Sequence, residues 1–259
     1  MKILKYIAVL FIAAVITQTA MANSLTGYQI IEKAVNRPAP KTQKATLTMT
    51  LVSSSGSKRV REIDQFTNDD SKVEKKIMFF QKPADVRGTS FMNFSYSGDK
   101  ADDQWIYLPA LKKVKRISSD SKGDYFMGSD FTYDDLGDRN PKDDNHEILR
   151  EETLNGEECY VVSSTPKDKD YMYSKTITWV IKNKWIGLKK IFYDENGDLL
   201  KTLNVIDYKN IDGYWIQTIV KMINEKTKHE TIMNLSNIKV NDSVPNSYFS
   251  ERIMKRGIK

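Results

Sequence analysis

Gln43-Lys44-Ala45-Thr46-Leu47-Thr48-Met49-Thr50-Leu51-Val52 places apolar side chains at every second position, Ala45, Leu47, Met49 and Leu51, with threonines between them. A period of two marks a β-strand with one buried face, because successive side chains point to opposite sides of the backbone. Ile177, Trp179 and Ile181 repeat the pattern against Thr176 and Thr178, and Ile216, Val220 and Met222 carry it in a later strand. Ser55-Gly56, Asn155-Gly156, Asn196-Gly197 and Asp212-Gly213 each separate two strand-like runs, and such dipeptides are favoured where tight hairpins need positive φ. From 147 to 240 the pattern predicts strands at 147–154, 158–165, 174–182, 187–193, 199–209, 213–223 and 229–240, nearly all joined by short loops. Such an antiparallel meander coils readily into an open barrel or strongly curved sheet. The expected fold is mainly β. Near the start, Ser24 to Arg37 reads as a short helix, with Ile30, Ile31, Ala34 and Val35 at helical spacing and Pro38-Ala39-Pro40 ending it.

The first 22 residues have the form of a cleaved export signal: Lys2 and Lys5, an apolar run from Tyr6 to Ile16, then Ala20-Met21-Ala22. The apolar run is shorter than the about 20 residues of a membrane span. No cysteine stands beside the expected cut to take a lipid, so a mature chain free in solution is expected, a single domain over 23–259. The signal holds two of the 40 basic residues and none of the 34 acidic ones, which leaves the mature chain an excess of four. Acids and bases are interspersed, which describes a solvated surface and not a nucleic-acid footprint. Cys159 is the only cysteine, so no intrachain disulfide can form, and its strand-like setting describes a buried thiol.

Ser118 to Asn145 breaks the strand rhythm. It is rich in Ser, Asp, Gly and Lys, yet carries Tyr125, Phe126, Met127, Phe131, Tyr133 and Leu136, aromatics that disordered linkers lack. It reads either as a lid or plug on an apolar surface or as side chains completing a core. Both faces are apolar in Lys76 to Phe80 and in Asp103 to Pro109, and less fully in Ser90 to Phe94, so these strands need cover on both sides. Lys112, Lys113, Lys115 and Arg116 follow, as solvated edge-strand cations or as contacts for anionic head groups.

Catalytic signatures are missing: the sequence has no G-x-S-x-G elbow and no phosphate-binding loop. His146 and His229 stand apart without zinc spacing, and Asp130, Asp134, Asp135 and Asp138 do not fit an EF-hand. No catalytic residue, metal or cofactor is expected, and the weight shifts from enzyme to binding protein.

Trp105-Ile106-Tyr107-Leu108-Pro109-Ala110-Leu111-Lys112-Lys113-Val114-Lys115-Arg116-Ile117, followed by Phe126-Met127-Gly128-Ser129-Asp130-Phe131-Thr132-Tyr133-Asp134-Asp135-Leu136, resembles the outer-membrane lipoprotein-sorting protein family, relatives of the LolA and LolB carriers. Lys82 to Thr89 is similar to the same family. The resemblance implies a curved antiparallel sheet forming an incomplete, half-open barrel, short helices covering its mouth, and a hydrophobic cavity that shields acyl chains between two membranes. It further implies a periplasmic location and an inner-membrane donor, and an association of this branch with exporters of the resistance-nodulation-division type. Cargo is then lipoprotein or lipid. Arg59, Arg61 and Arg87 are candidates for the arginine latch of the LolA carriers.

On strand alternation the expected cavity lining is Leu47, Met49, Leu51, Phe79, Phe91, Phe94, Trp105, Tyr107 and Trp179, with Phe126, Phe131, Tyr133 and Leu136 in the lid. The expected function is a monomeric periplasmic carrier of acyl chains with transient membrane contact. The alternative is a non-carrying accessory subunit docked on such an exporter.

Overall fold

The alternation at 43–52 is realised in strand β1 (Thr42–Val52), where Ala45, Leu47, Met49 and Leu51 are buried and the threonines between them half-buried. The structure, a computed structural model, describes residues 25–258, so the expected signal at 1–22 lies outside it. Then come β2 (Lys58–Asp69), β3 (Val73–Lys82), β4 (Ser90–Tyr96), β5 (Asp103–Leu108), β6 (Lys113–Arg116), β7 (Asp144–Leu154) and β8 (Glu157–Pro166). β9 (Lys175–Ile181), β10 (Gly187–Tyr193), β11 (Leu199–Ile211), β12 (Tyr214–Asn224) and β13 (Glu230–Val240) complete the set. All thirteen form one antiparallel sheet in the order β6-β5-β4-β3-β2-β1-β13-β12-β11-β10-β9-β8-β7.

This order dictates where the irregular segment goes. The chain walks outward from β1 to the edge at β6, then reappears at the opposite edge in β7 and walks back to β13, which pairs with β1 through Leu47↔Leu235 and Met49↔Met233. The connection over residues 117–143 therefore has to cross the whole sheet, and it does so over one face. β6 and β7 do not pair with each other, so the barrel stays open, as expected. Asn155-Gly156 and Asp212-Gly213 make their hairpins with positive φ at both residues (52° and 81°, and 50° and 90°), as the tightest hairpin turn requires. β7 begins at Asp144 and not near 147, because its ladder with β8 runs on to Asp144↔Pro166 through polar residues that an apolar period does not register.

Helix α1 (Gly27–Val35) is shorter than the expected 24–37. Thr26 caps it reciprocally with Gln29, through bonds of 2.9 and 3.2 Å, and Ile30 is fully buried against Val162 and Val180. A Cβ on Gly27 would come within 2.8 Å of the His146 backbone, so this close approach to β7 needs glycine.

Helix α2 (Glu251–Arg256) packs against β4 and β6. With Val244, Tyr248 and Phe249 it covers Ile77, Phe79, Met92, Phe94, Trp105 and Tyr107. Asn68 Nδ2 donates to Val244 O and Ser90 Oγ to Met254 O, each at 3.0 Å, holding this strap down. The two-faced strands thus have two covers: the C-terminal strap on one side, the crossing segment on the other. The helices are few and short: the cover opposite the strap is irregular chain with short 3-10 turns, and α2 lies on the strap side.

Two local consequences are measurable. The Cys159 thiol is buried, and burial with the nearby Glu157 carboxylate pushes its pKa up. We expect negligible reaction with a thiol reagent at pH 8 in native protein and one thiol per chain in urea. At the β4–β5 hairpin, burial pushes Asp103 up, but hydrogen bonds from Arg116, Tyr96 and Lys100 outweigh it and hold the carboxyl at about 2 against a usual 3.8. Its stabilising contribution is present above 3.8 and lost as pH falls through about 2. In Arg116→Ala the Asp103 carboxyl should titrate at higher pH by NMR, and the loss should begin correspondingly earlier.

Candidate functional site: the plug and the apolar face beneath it

The crossing segment is a chain of short 3-10 turns, at Ser119–Ser121, Phe126–Gly128, Asp134–Leu136 and Pro141–Asp143. Its centre doubles back: Phe126 N donates to Phe131 O at 2.7 Å and Ser129 N to Phe126 O at 2.9 Å. Met127 and Gly128 make this reversal with φ of 50° and 71°. The reversal drives Phe126, which has no exposed surface, into the sheet, with ring centroids 5.1 Å from Phe91, 6.0 Å from Phe80 and 5.7 Å from Tyr133. The floor is Leu47, Met49, Leu51, Ile63, Met78, Phe80 and Phe91, with Met233 and Leu235 at its border.

Polar anchors fix the plug to this floor. Arg61 is buried on β2, level with Met49, and its guanidinium donates to the Met127 carbonyl while Nη1 lies 4.0 Å from Met49 Sδ. Burial lowers its pKa, and the neighbouring Arg59 adds to that. Arg59 and Arg87 are both exposed. Asp130 is buried and accepts hydrogen bonds from Thr231 Oγ1 at 2.6 Å and pairs with His229 Nδ1 at 2.7 Å. Lys201, fully buried on β11, pairs with Asp135 and donates to Asp130 O at 3.2 Å. Toward the other edge Gln104 Nε2 donates to Tyr133 O at 2.8 Å, and Asp138 N to Asp102 at 3.0 Å. Burial raises the Asp102 pKa, the cost of an interior carboxylate.

Of the expected lining, Leu47, Met49, Leu51 and Phe91 come together under the plug. Phe79, Phe94, Trp105 and Tyr107 do not: they lie on the opposite face under the C-terminal strap. Phe79 and Phe80 are consecutive, so they must face opposite ways, and alternation alone could not say which was under the plug. Trp179 belongs to a third cluster with Cys159, Val161 and Ile181, its indole donating to Glu152. In the lid, Phe126, Tyr133 and Leu136 meet the floor, whereas Phe131 joins Tyr173, Phe192 and Met222. The four aspartates disperse: Asp130 to His229 and Thr231, Asp134 to Tyr171, Asp135 to Lys201 and Tyr173, and Asp138 to an exposed position.

The plug packs on the apolar face, and a space opens at its C-terminal end. There a cavity of about 160 Å³ is lined by Phe131, Asp134, Asp135, Arg139, Tyr171, Tyr173, Lys190 and their neighbours. An engineered cavity of about 150 Å³ takes one benzene ring, so this space suits a small polar group and not an acyl chain.

Sequence reasoning missed Lys201, His229, Thr231, Ile63, Met78 and Phe80. Met78 and Phe80 lay in a run marked as apolar on both faces, and Lys201 stands in phase with Leu203 and Val205, at a position where a half-buried strand calls for an apolar side chain.

A family model described as "Uncharacterized protein" matches residues 72–256. A crystal structure of a domain from Vibrio parahaemolyticus, named for outer membrane lipoprotein sorting, is 35% identical, with 89% of this chain and 98% of that one covered and a TM-score of 0.83. A DUF1329 family protein from Desulfovibrio piger is 28% identical, covering 88% and 97%, with a TM-score of 0.82. A LolA superfamily protein from Nitrosomonas europaea, 22% identical over 88% and 99%, shares the fold with a TM-score of 0.68. No curated protein matches the sequence.

Proposed function

Because the chain belongs to the outer membrane lipoprotein-sorting protein family, we propose that it is a periplasmic carrier whose plug-covered face takes the acyl chains of a lipid or lipoprotein and moves them between membranes. The observation that carries this reading is the nature of the cover. An apolar floor is closed not by another sheet or a long helix but by irregular chain, held through a few polar anchors. Each acyl CH₂ removed from water contributes about 0.8 kcal/mol, and a plug that gives up Phe126, Met127 and Tyr133 contacts as the acyl chain arrives sets those gains against its own losses. That exchange keeps binding reversible, as a carrier requires. Arg61, which touches both the plug backbone and the floor, is the candidate for the arginine latch. Transfer needs no bond chemistry.

One observation favours the second reading, a non-carrying accessory subunit docked on a resistance-nodulation-division exporter: the floor is already filled by the plug's own side chains. Protein purified from its native compartment without detergent separates the two by native mass spectrometry and lipid extraction. The carrier reading expects a stoichiometric acyl-bearing adduct, lost in a folded Met49→Glu variant. A clean apo mass, with no uptake from added lipid or lipoprotein, would overturn it in favour of docking.

A further inference from the structure

The cavity at the plug's C-terminal end is a site in its own right, and its charges sort into pairs and a remainder. Arg139 Nε reaches both oxygens of Asp144 at 3.0 Å, and Asp135 is tied to Lys201. Two charged groups are left. Lys190 lines the cavity from β10, and among the described residues its ammonium has no hydrogen bond or ion pair, only the Phe192 ring with its centroid at 5.0 Å. Asp134 lines it from the plug, and its carboxylate is held by the neutral phenol of Tyr171. Burial lowers the Lys190 pKa, with Asp135, Asp144 and Asp134 opposing the shift, so the ammonium is desolvated without a contacting counter-charge.

Lys190 and Asp134 border one small space and do not pair with each other. A simple anion would satisfy Lys190 but meet the Asp134 carboxylate, and a simple cation would meet the reverse conflict. A group carrying both charges satisfies both. From this juxtaposition we infer that the cavity binds a zwitterionic head group, its phosphate or carboxylate on Lys190 and its ammonium on Asp134. A phosphoethanolamine group has about the bulk this space admits. Phe131 joins the site to the plug, and Leu136 packs on both the apolar floor and the cluster beside the cavity. A head group bound here therefore leaves its chains beside the carrier face, and that step alone rests on the proposed function.

Isothermal titration with sn-glycero-3-phosphoethanolamine and with sn-glycerol 3-phosphate tests the site without any acyl chain. The zwitterion should bind about tenfold more tightly than the anion, and Lys190→Met should weaken it by about tenfold or more, the size of one lost charged hydrogen bond. Asp134→Asn should abolish the preference between the two compounds. Near-ultraviolet circular dichroism checks that the variants keep their packing. No binding to wild type, or equal binding of both compounds, would overturn the inference. Vesicles of phosphatidylethanolamine and phosphatidylglycerol in equal parts then identify the source. Selective capture of the former makes the ligand a lipid head group. Binding of the soluble compound without lipid capture leaves the site standing for a free zwitterion and overturns its link to the carrier face.

Discussion

Lys201→Met should lower the unfolding free energy by about 3–5 kcal/mol, because it leaves the Asp135 carboxylate buried without its counter-ion. Lys201 has no exposed surface, and its ammonium stands 5.1 Å from the ring centroids of both Tyr173 and Phe192, so water cannot replace the lost partner. In urea the midpoint should fall at constant slope. The double variant Lys201→Met/Asp135→Asn should recover most of the loss. Its amide no longer carries a buried charge: its oxygen can accept from Thr132 N, now 2.7 Å from Oδ2, and its NH2 can donate to Tyr173 Oη, now 3.0 Å from Oδ1. A loss below about 1 kcal/mol, the range of a solvated pair, would contradict the buried anchor.

Phe126→Ala should cost about 3–5 kcal/mol, the range for emptying a buried aromatic position, but the cost should fall on the plug. Phe126 contributes nothing to the sheet ladder; its partners are rings of the floor and of the plug itself. Hydrogen exchange should therefore accelerate by about two to three orders of magnitude or more at the Phe126 and Ser129 amides, with the β1–β13 ladder still protected. Loss of protection in plug and ladder together would mean that the segment is an inseparable part of the core. The same variant should load an acyl probe faster, since less of the plug's own contact has to be given up.

What the sequence disclosed follows from what periodicity can and cannot carry. Strands with one kind of neighbour on each side, such as Thr42–Val52, show clean alternation and were legible to within a residue or two. Lys76 to Phe80 was legible as a strand needing two covers, but its faces were not assignable, because the plug and the C-terminal strap both demand apolar side chains. The consequence was a lining that mixed Phe91 with Phe94, three residues apart and so on opposite faces. The long segment over 118–145 was legible as a lid or a core piece from its aromatics. Its course was not, since that depends on β6 and β7 being opposite edges of one sheet. The anchors were the least legible part. Asp130 and His229 are 99 positions apart, and only the completed meander brings them to 2.7 Å.

The most direct measurement is photocrosslinking with an acyl chain that carries a diazirine near its end, loaded onto the full mature chain and mapped by peptide mass spectrometry. Labels are expected on Met49, Phe80, Phe91 and the Phe126 segment, reduced when Met49→Glu places a charge on the floor. Labels confined to the strap side, at Phe79, Phe94, Trp105 or Tyr107, or no labelling of either face, would contradict the carrier reading.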